Sequence, residues 1–230
     1  MYKKRSSNKL YFAIILIVIL AVSVAAVVYA TQFNKPATAK VGVHVGDTFT
    51  YKLTGESVLG SVDAVTPAYL SEYNDTDYYQ ITITAIVSTN VSFNTIWRFT
   101  NGTEITSPQI LDIASGNSSD KNGFWAIYSS NLKVSDLLRP TGYDEQIVNE
   151  TTTTTYGAIS RQTNFWQIES QFTDPSDPTG NTMRDDYTGI YFDQQTGVLT
   201  NLENVQRYNN PQYNVIITWQ LTGSNVWAVQ

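Results

Sequence analysis

Carboxylates are the side chains in this 230-residue sequence with the clearest potential for chemistry. Four of them cluster in one Pro-containing stretch: Asp174, Asp177, Asp185 and Asp186. Two converging carboxylates can act as acid and base in a hydrolase, and their oxygens also suit Ca²⁺. Pro178 stands where a calcium loop of the EF-hand type needs an oxygen ligand. The sequence therefore favours a solvated acidic loop over either site.

Other catalytic residue types are scarce. The chain has no Cys and a single histidine, His44, so thiolate nucleophiles, disulfides and multi-His metal sites are excluded. It also lacks a Gly-x-Ser-x-Gly elbow, a Gly-rich phosphate loop and a His-Glu-x-x-His motif. We therefore expect no enzyme activity, no cofactor and no metal, and we expect His44 to be a surface or stalk residue.

Charge is distributed unevenly along the chain. Four basic residues lie within the first ten positions, whereas residues 31–230 carry ten basic and twenty acidic side chains, a net charge of −10. A body with this charge repels phosphate backbones, which argues against nucleic-acid binding.

An uncharged apolar run at 10–30 separates the basic tail from the acidic body. As a helix it would extend about 32 Å, enough to span a bilayer. The basic flank places residues 1–9 in the cytoplasm, 31–42 as an extracellular stalk and 43–230 as one extracellular domain. A cleaved signal peptide is the alternative, although its apolar region is usually shorter.

The body of the chain shows the period-two alternation of half-buried strands. Five segments show it: 48–53, 79–85, 91–99, 166–172 and 215–221. One face of each is apolar and the other polar, as in antiparallel sheets with a solvated side. We predict a mainly β fold of eight to ten antiparallel strands, forming a sandwich or a curved half-barrel.

Turn and helix signals complete this prediction. Asn101-Gly102 is a strong hairpin signal, and Gly197 offers a positive φ in a turn at 193–197. Asn210-Pro211 separates the last two strands. The best helix candidate outside the apolar run is the short segment 134–138, which Pro140 closes.

Three tryptophans lie on apolar faces of predicted strands: Trp97, Trp166 and Trp219. They allow an aromatic-lined cavity for a lipid or another apolar ligand. The simpler interpretation is that they fill the core, as inward aromatics usually do.

Five Asn-x-Ser/Thr triplets are candidate glycan acceptors: Asn74, Asn90, Asn101, Asn117 and Asn149. Their number does not exceed what the Asn, Ser and Thr content yields by chance. Their predicted positions in loops and strand connections are compatible with a glycan.

A run of threonines at 151–155 has two interpretations. It is either an O-glycosylated patch or a β-prone, exposed edge strand, and the lack of Pro favours the edge strand.

The sequence also resembles a recurrent type of uncharacterised archaeal membrane-anchored, β-rich cell-surface protein. The resemblance covers most of 43–228 and rests on VGDTF (45–49), NLKVSD (131–136), TTYGAISR (154–161), YFDQQTGVL (191–199) and SNVW (224–227). The chain has Ser135 where such proteins often have Gly, and Phe192 where Trp is frequent. The hairpin at 191–199 is also similar, more weakly, to one in periplasmic lipoprotein-carrier half-barrels, which implies a curved sheet.

These observations lead to one main functional expectation and two alternatives. We expect a non-enzymatic, membrane-anchored extracellular protein of the cell envelope, with a structural or binding role and an envelope protein, glycan or lipid as partner. The alternatives are a carrier for an apolar ligand and a carboxylate-dependent envelope hydrolase. The resemblance implies no particular function, because a fold does not determine one.

Overall fold

The computed structural model of the protein describes residues 38–119, 126–142, 145–156, 158–174, 177 and 179–229. The predicted tail, the apolar run and most of the stalk lie outside these residues. Within them, no helix combines the length and the apolar character needed to cross a bilayer. The elements are β1 (Thr48–Leu59), α1 (Leu70–Asn74), β2 (Thr76–Val87), β3 (Asn90–Phe99), β4 (Glu104–Asp112), β5 (Glu150–Tyr156), β6 (Ile159–Thr173), β7 (Met183–Asp193), β8 (Leu199–Asn209) and β9 (Gln212–Ser224).

All nine strands belong to one antiparallel sheet with the order β4-β3-β2-β1-β9-β8-β7-β6-β5. This confirms the prediction of a mainly β fold with eight to ten antiparallel strands. The strands form a single open sheet rather than the two packed sheets of a sandwich. Its edges are β4 and β5, which the long connection from 113 to 149 joins.

The alternation read from the sequence marks the buried face of the sheet. Phe49, Tyr51 and Leu53 of β1 are almost fully buried, as are Ile81 and Ile83 of β2. Strand pairing places Phe49 opposite Ile81 and Tyr51 opposite Tyr79, so these apolar side chains form one continuous layer. We call this side of the sheet the core face and the opposite side the outer face.

The connection between β4 and β5 helps to cover the core face. Tyr128 stacks on Phe192 with ring centroids 4.5 Å apart and meets Trp166 edge-on at 6.2 Å. The buried guanidinium of Arg139 lies 4.6 Å from the Tyr128 ring and donates to the carbonyl oxygens of Ile113 and Ile127. An irregular segment therefore contributes to the core because its backbone carbonyls are satisfied by a buried side chain.

The predicted helix at 134–138 is wrong. Ser135 has a φ of 73°, in the left-handed region that a right-handed helix excludes. The Ser135 N–H donates to the Val148 carbonyl, and the Leu138 N–H donates to the Gln146 carbonyl, so the segment pairs with a neighbouring stretch of chain. The helix that does form, α1, follows Pro67 and buries Leu70 against Val215 and Ile217.

The predicted turn between β7 and β8 is present and is built around a buried carboxylate. Asp193 is fully buried and accepts from Arg161 Nε and Nη2 at 2.6 and 2.9 Å. The Thr196 N–H and hydroxyl each donate to Asp193 Oδ1 at 2.8 Å. Gly197 has a φ of 76°, and a Cβ there would overlap the carbonyl oxygen of Tyr128, so glycine is required at this position.

Trp227 extends this network to β1 and β5. Its ring lies 4.3 Å from the Arg161 guanidinium carbon, 5.9 Å from the Phe49 ring and 6.4 Å from the Tyr156 ring. The neighbouring Asn225 accepts from the Thr48 N–H and donates to the Gly46 carbonyl. The segments that carry the family resemblance thus meet at one end of the sheet, where they act as structural contacts.

Replacing Asp193 with Ala is expected to lower the free energy of unfolding by about 3 kcal/mol, because it leaves the mostly buried guanidinium of Arg161 without its counter-ion. The measurement is urea unfolding of the purified chain followed by tryptophan fluorescence. Glu104→Ala is the control, since the Arg98–Glu104 pair has the same 2.6 Å contact but is exposed. That variant should lose far less stability, because solvent screens an exposed ion pair. Equal losses in the two variants would contradict the central role of Asp193.

Candidate ligand-binding groove

A groove of about 250 Å³ crosses five strands from β5 to β9. Its lining residues come from all five strands: Thr154, Tyr156, Thr163, Tyr191, Thr200, Asn201, Gln220 and Leu221. None of these side chains carries a formal charge, although the whole chain is acidic. The groove therefore suits a ligand that is recognised by hydrogen bonds rather than by charge.

The strand register places the polar side chains of this groove on the outer face, whereas Leu221 lies opposite Tyr51 on the core face. Trp166 of β6 lies opposite Ile190 of β7, and both are buried on the core face. The next residue, Tyr191, points to the other side and lies opposite Asn201 of β8, which in turn lies opposite Gln220 of β9. These three polar side chains form a row across the sheet.

The polar groups of the groove are not used to hold the fold together. Among the described residues, none of the seven polar side chains that line it has a hydrogen-bond partner. Thr163 is only 1% exposed, and its hydroxyl is buried without a partner. Buried polar groups in native proteins are nearly always hydrogen-bonded, so an orphaned hydroxyl needs an explanation. This hydroxyl is out of contact with the solvent of the groove, so it is a local cost to stability beside the groove rather than a contact for a ligand.

Two tyrosines add flat apolar surfaces. The Tyr191 ring packs against Phe165 with centroids 4.7 Å apart, and Tyr156 packs against Trp227. These contacts hold the rings in place, so the tyrosine side chains lose little conformational entropy when a ligand binds against them. The groove thus combines fixed aromatic rings with hydroxyl and amide groups that have no hydrogen-bond partner among the described residues.

The acidic cluster read from the sequence separates into two places. Asp174 and Asp177 line a pocket of about 450 Å³, together with Asp63 and Tyr213. Asp185 and Asp186 line a second pocket of about 300 Å³. The structure therefore does not bring the four carboxylates together.

Asp177 and Asp186 also differ in their electrostatic environment. The side chain and N–H of Thr179, with further donors from Thr182, lower the pKa of Asp177 well below its usual range. Burial raises the pKa of Asp186, although Arg184 lies 2.8 Å away and opposes the shift. Opposite shifts are typical of an acid and base pair, but these two groups line different pockets and do not form one.

The other residue types considered for catalysis or metal binding also lie apart. Nδ1 of His44 is 3.7 Å from Asp47 Oδ2, and the His44 side chain is exposed. In the part of the chain that the structure describes, no three His, Asp or Glu side chains are grouped so as to hold a metal ion.

The three tryptophans do not share one site. Trp97 and Trp219 lie on either side of Tyr79, with ring centroids 6.2 and 4.8 Å from it. Trp166 is 2% exposed and packs against Tyr128 elsewhere on the core face. None of the three lines the groove or the two acidic pockets.

The five sequon asparagines differ in whether their side-chain amides are hydrogen-bonded. Asn90 and Asn117 are exposed, and their side-chain amides make no hydrogen bond among the described residues. Asn101 and Asn149 use only Oδ1, which accepts from Thr103 and Gln167 N–H groups and leaves Nδ2 free.

The sequon at Asn74 is built into the fold. Asn74 pairs through both amide atoms with the backbone of Gly55, at 3.0 and 2.8 Å. The hydroxyl of Thr76, the third residue of this sequon, donates to the Glu72 carbonyl and accepts from Trp97 Nε1.

Sequence reasoning missed the groove because its residues have the composition of a solvated strand face. Gln220 alternates with apolar neighbours in β9 and reads as an ordinary outward residue. Thr154 belongs to the threonine run, which predicts an edge strand. No local sequence pattern identifies the groove, because its lining residues are separated by as many as 67 positions in the chain and come together only in the folded sheet.

Comparison with known proteins gives no further guide to the groove. The chain matches no model of a known protein family, and no curated protein sequence matches it either.

In a host with an N-glycosylation pathway, we expect glycans on Asn90 and Asn117 and none on Asn74. The Nδ2 atom of Asn74 already donates to the Gly55 carbonyl, and a sugar there would disturb that contact. Glycopeptide mass spectrometry of the folded, purified chain measures occupancy at each site. Full occupancy of Asn74 in folded protein would refute this assignment.

Proposed function

We propose that the protein is a non-enzymatic, membrane-anchored extracellular component of the cell envelope that binds a neutral glycan in the groove of β5–β9. The observation that carries the proposal is the set of polar lining side chains without intramolecular partners. Sugar hydroxyls both donate and accept hydrogen bonds, as do the hydroxyl and amide groups of the groove. The tyrosine rings offer surfaces for the apolar faces of a sugar ring.

The absence of charge in the groove selects between ligand classes. A phosphate or an acidic sugar would need a cation, and none lies among the lining residues. An apolar ligand would need a mostly apolar lining, whereas Leu221 is the only aliphatic side chain here. A neutral glycan fits both constraints.

The membrane anchor and the extracellular location form part of the proposal. They rest on the apolar run at 10–30, its basic flank and the acidic character of the remaining chain. Membership in the archaeal surface-protein type that the sequence resembles is proposed as well. What supports it is that its motif segments make contacts with one another around Asp193 and Trp227.

We further propose that the open sheet is curved into a half-barrel. In a flat sheet, five strand spacings would separate β1 from β5 by about 24 Å. Trp227 nevertheless touches Phe49 of β1 and Tyr156 of β5, with centroid distances of 5.9 and 6.4 Å. Curvature of the sheet accounts for this double contact.

Thr163→Val is expected to stabilise the protein. The buried hydroxyl has no partner, so its removal should raise the free energy of unfolding by about 1 kcal/mol. Thr196→Val is the control, because the Thr196 hydroxyl is buried but bonded to Asp193, and its loss should destabilise by a similar amount. Urea unfolding measures both. Destabilisation by Thr163→Val would show that its hydroxyl is already satisfied.

Neutral trisaccharides such as maltotriose, cellotriose and chitotriose test the ligand class, with a trimer of galacturonic acid as the acidic comparison. We expect at least one neutral probe to bind, and Tyr191→Ala to weaken it about tenfold, which corresponds to about 1.4 kcal/mol. Tyr187→Ala is the matched control, since Tyr187 lies on the same face of β7 outside the groove. Isothermal titration calorimetry gives the affinities. Preference for the acidic trimer, or equal loss in both variants, would refute the assignment.

A further inference from the structure

The edge strand β5 presents an open backbone. It pairs with β6 on one side through all seven residues, Glu150–Tyr156. Among the described residues, no backbone group of this strand is hydrogen-bonded on its other side. An open edge of this kind is a template for pairing with another strand.

The opposite edge, β4, is protected in two ways. Pro108 interrupts its row of donors, because proline has no N–H. The chain then folds back along the end of the strand, where Ser119 N–H and hydroxyl groups bond to the Ile110 backbone and Asn117 accepts from the Asp112 N–H. β5 therefore remains available along its length, and β6 beyond Phe165 extends past β5 with no strand paired on that side among the described residues.

None of these protective devices is present in β5. The strand contains neither Pro nor Lys or Arg, and its pairing with β6 runs without a bulge. Its one charge, Glu150, lies at the first position. Natural edge strands that must stay single usually carry such devices.

We propose that the partner of this edge is a second copy of the same chain, whose β5 pairs with it antiparallel about a twofold axis at Thr153. This register pairs all seven residues. It places Glu150 opposite the partner's Tyr156 rather than opposite a second carboxylate, and it sets threonines opposite threonines, which is a favourable cross-strand combination.

The symmetry of the pairing favours a dimer. A twofold contact is isologous, so it consumes the β5 edge of both copies. The protected β4 edge offers no second site for growth. Seven residue pairs form a small interface, and the proposed membrane anchor supplies the high local concentration that a small interface needs. To that extent the dimer rests on the proposed function, although it does not depend on the ligand.

The dimer also has a consequence for the groove. Thr154 and Tyr156 belong both to β5 and to the groove lining. The two grooves would therefore approach the same twofold axis from opposite sides. Two linked sites would bind a repeating glycan with a higher avidity than either site alone.

The test uses single-cysteine variants of the full chain in membranes, since the chain has no cysteine of its own. In a twofold pair, Thr153→Cys faces its own copy, and Cα distances of about 4.5–5.5 Å between paired residues allow a disulfide. Thr155→Cys is the matched control on the same strand and face. Its two copies would lie about 14 Å apart, which is too far for a disulfide. Thr106→Cys on β4 reports random collisions.

We expect mild oxidation to give a reducible dimer with Thr153→Cys, several-fold above the level of the two controls. Equal cross-linking at positions 153 and 155, or a level at 153 no higher than at 106, would overturn the proposed pairing. Urea unfolding of each reduced variant verifies its fold.

Thr153→Lys provides a second approach, because two lysines would then oppose each other across the axis. The dimer is detected by chemical cross-linking through the other lysines of the chain. Thr153→Lys should lose this dimer, whereas the control Thr106→Lys should retain it. Saccharide affinity and membrane fractionation are measured on the same preparations, so failure of the dimer is distinguished from failure of the glycan site or of the anchor.

Discussion

The buried ion pair between Asp193 and Arg161 is the interaction on which the rest of the sheet depends. Asp193 ends β7, and its carboxylate is satisfied by Arg161 of β6 and by two donors of Thr196 in the same turn. Such a pair stabilises a fold only when its geometry is good and its remaining lone pairs are bonded, because the cost of desolvating two charges is large. Here both conditions hold. The ion pair consequently fixes the positions of the turn, the start of β6 and the ring of Trp227 relative to one another.

That arrangement determines the shape of the outer face. Trp227 stacks on Arg161 and also contacts Phe49 and Tyr156, so the ion pair connects β1 with β5 although four strands lie between them in the sheet. The groove lies over the same strands and includes Tyr156. A contact made for stability at the end of the sheet thus positions the side chains that we assign to ligand binding.

The sequence was informative where local physics decides the structure. Alternation in 48–53 identifies the buried Phe49 and Tyr51, because side chains on a strand point to opposite faces in turn. Gly197 marks its turn because only glycine fits there. No helix forms at 134–138 for a tertiary reason, since the Ser135 N–H donates to the carbonyl of Val148, which is thirteen positions away in the chain. The groove was not predictable either, because the row of Tyr191, Asn201 and Gln220 exists only once the strand register is known.

The threonines show why composition alone does not separate stability from function. Threonine suits a strand because it is β-branched, and its hydroxyl adds a polar group that must be satisfied. In Thr196 this group completes the Asp193 turn, whereas in Thr163 it is buried without a partner. A valine would fill the same space at Thr163 without that cost. Two buried threonines of the same composition therefore make opposite contributions to stability, and only their hydrogen-bond partners distinguish them.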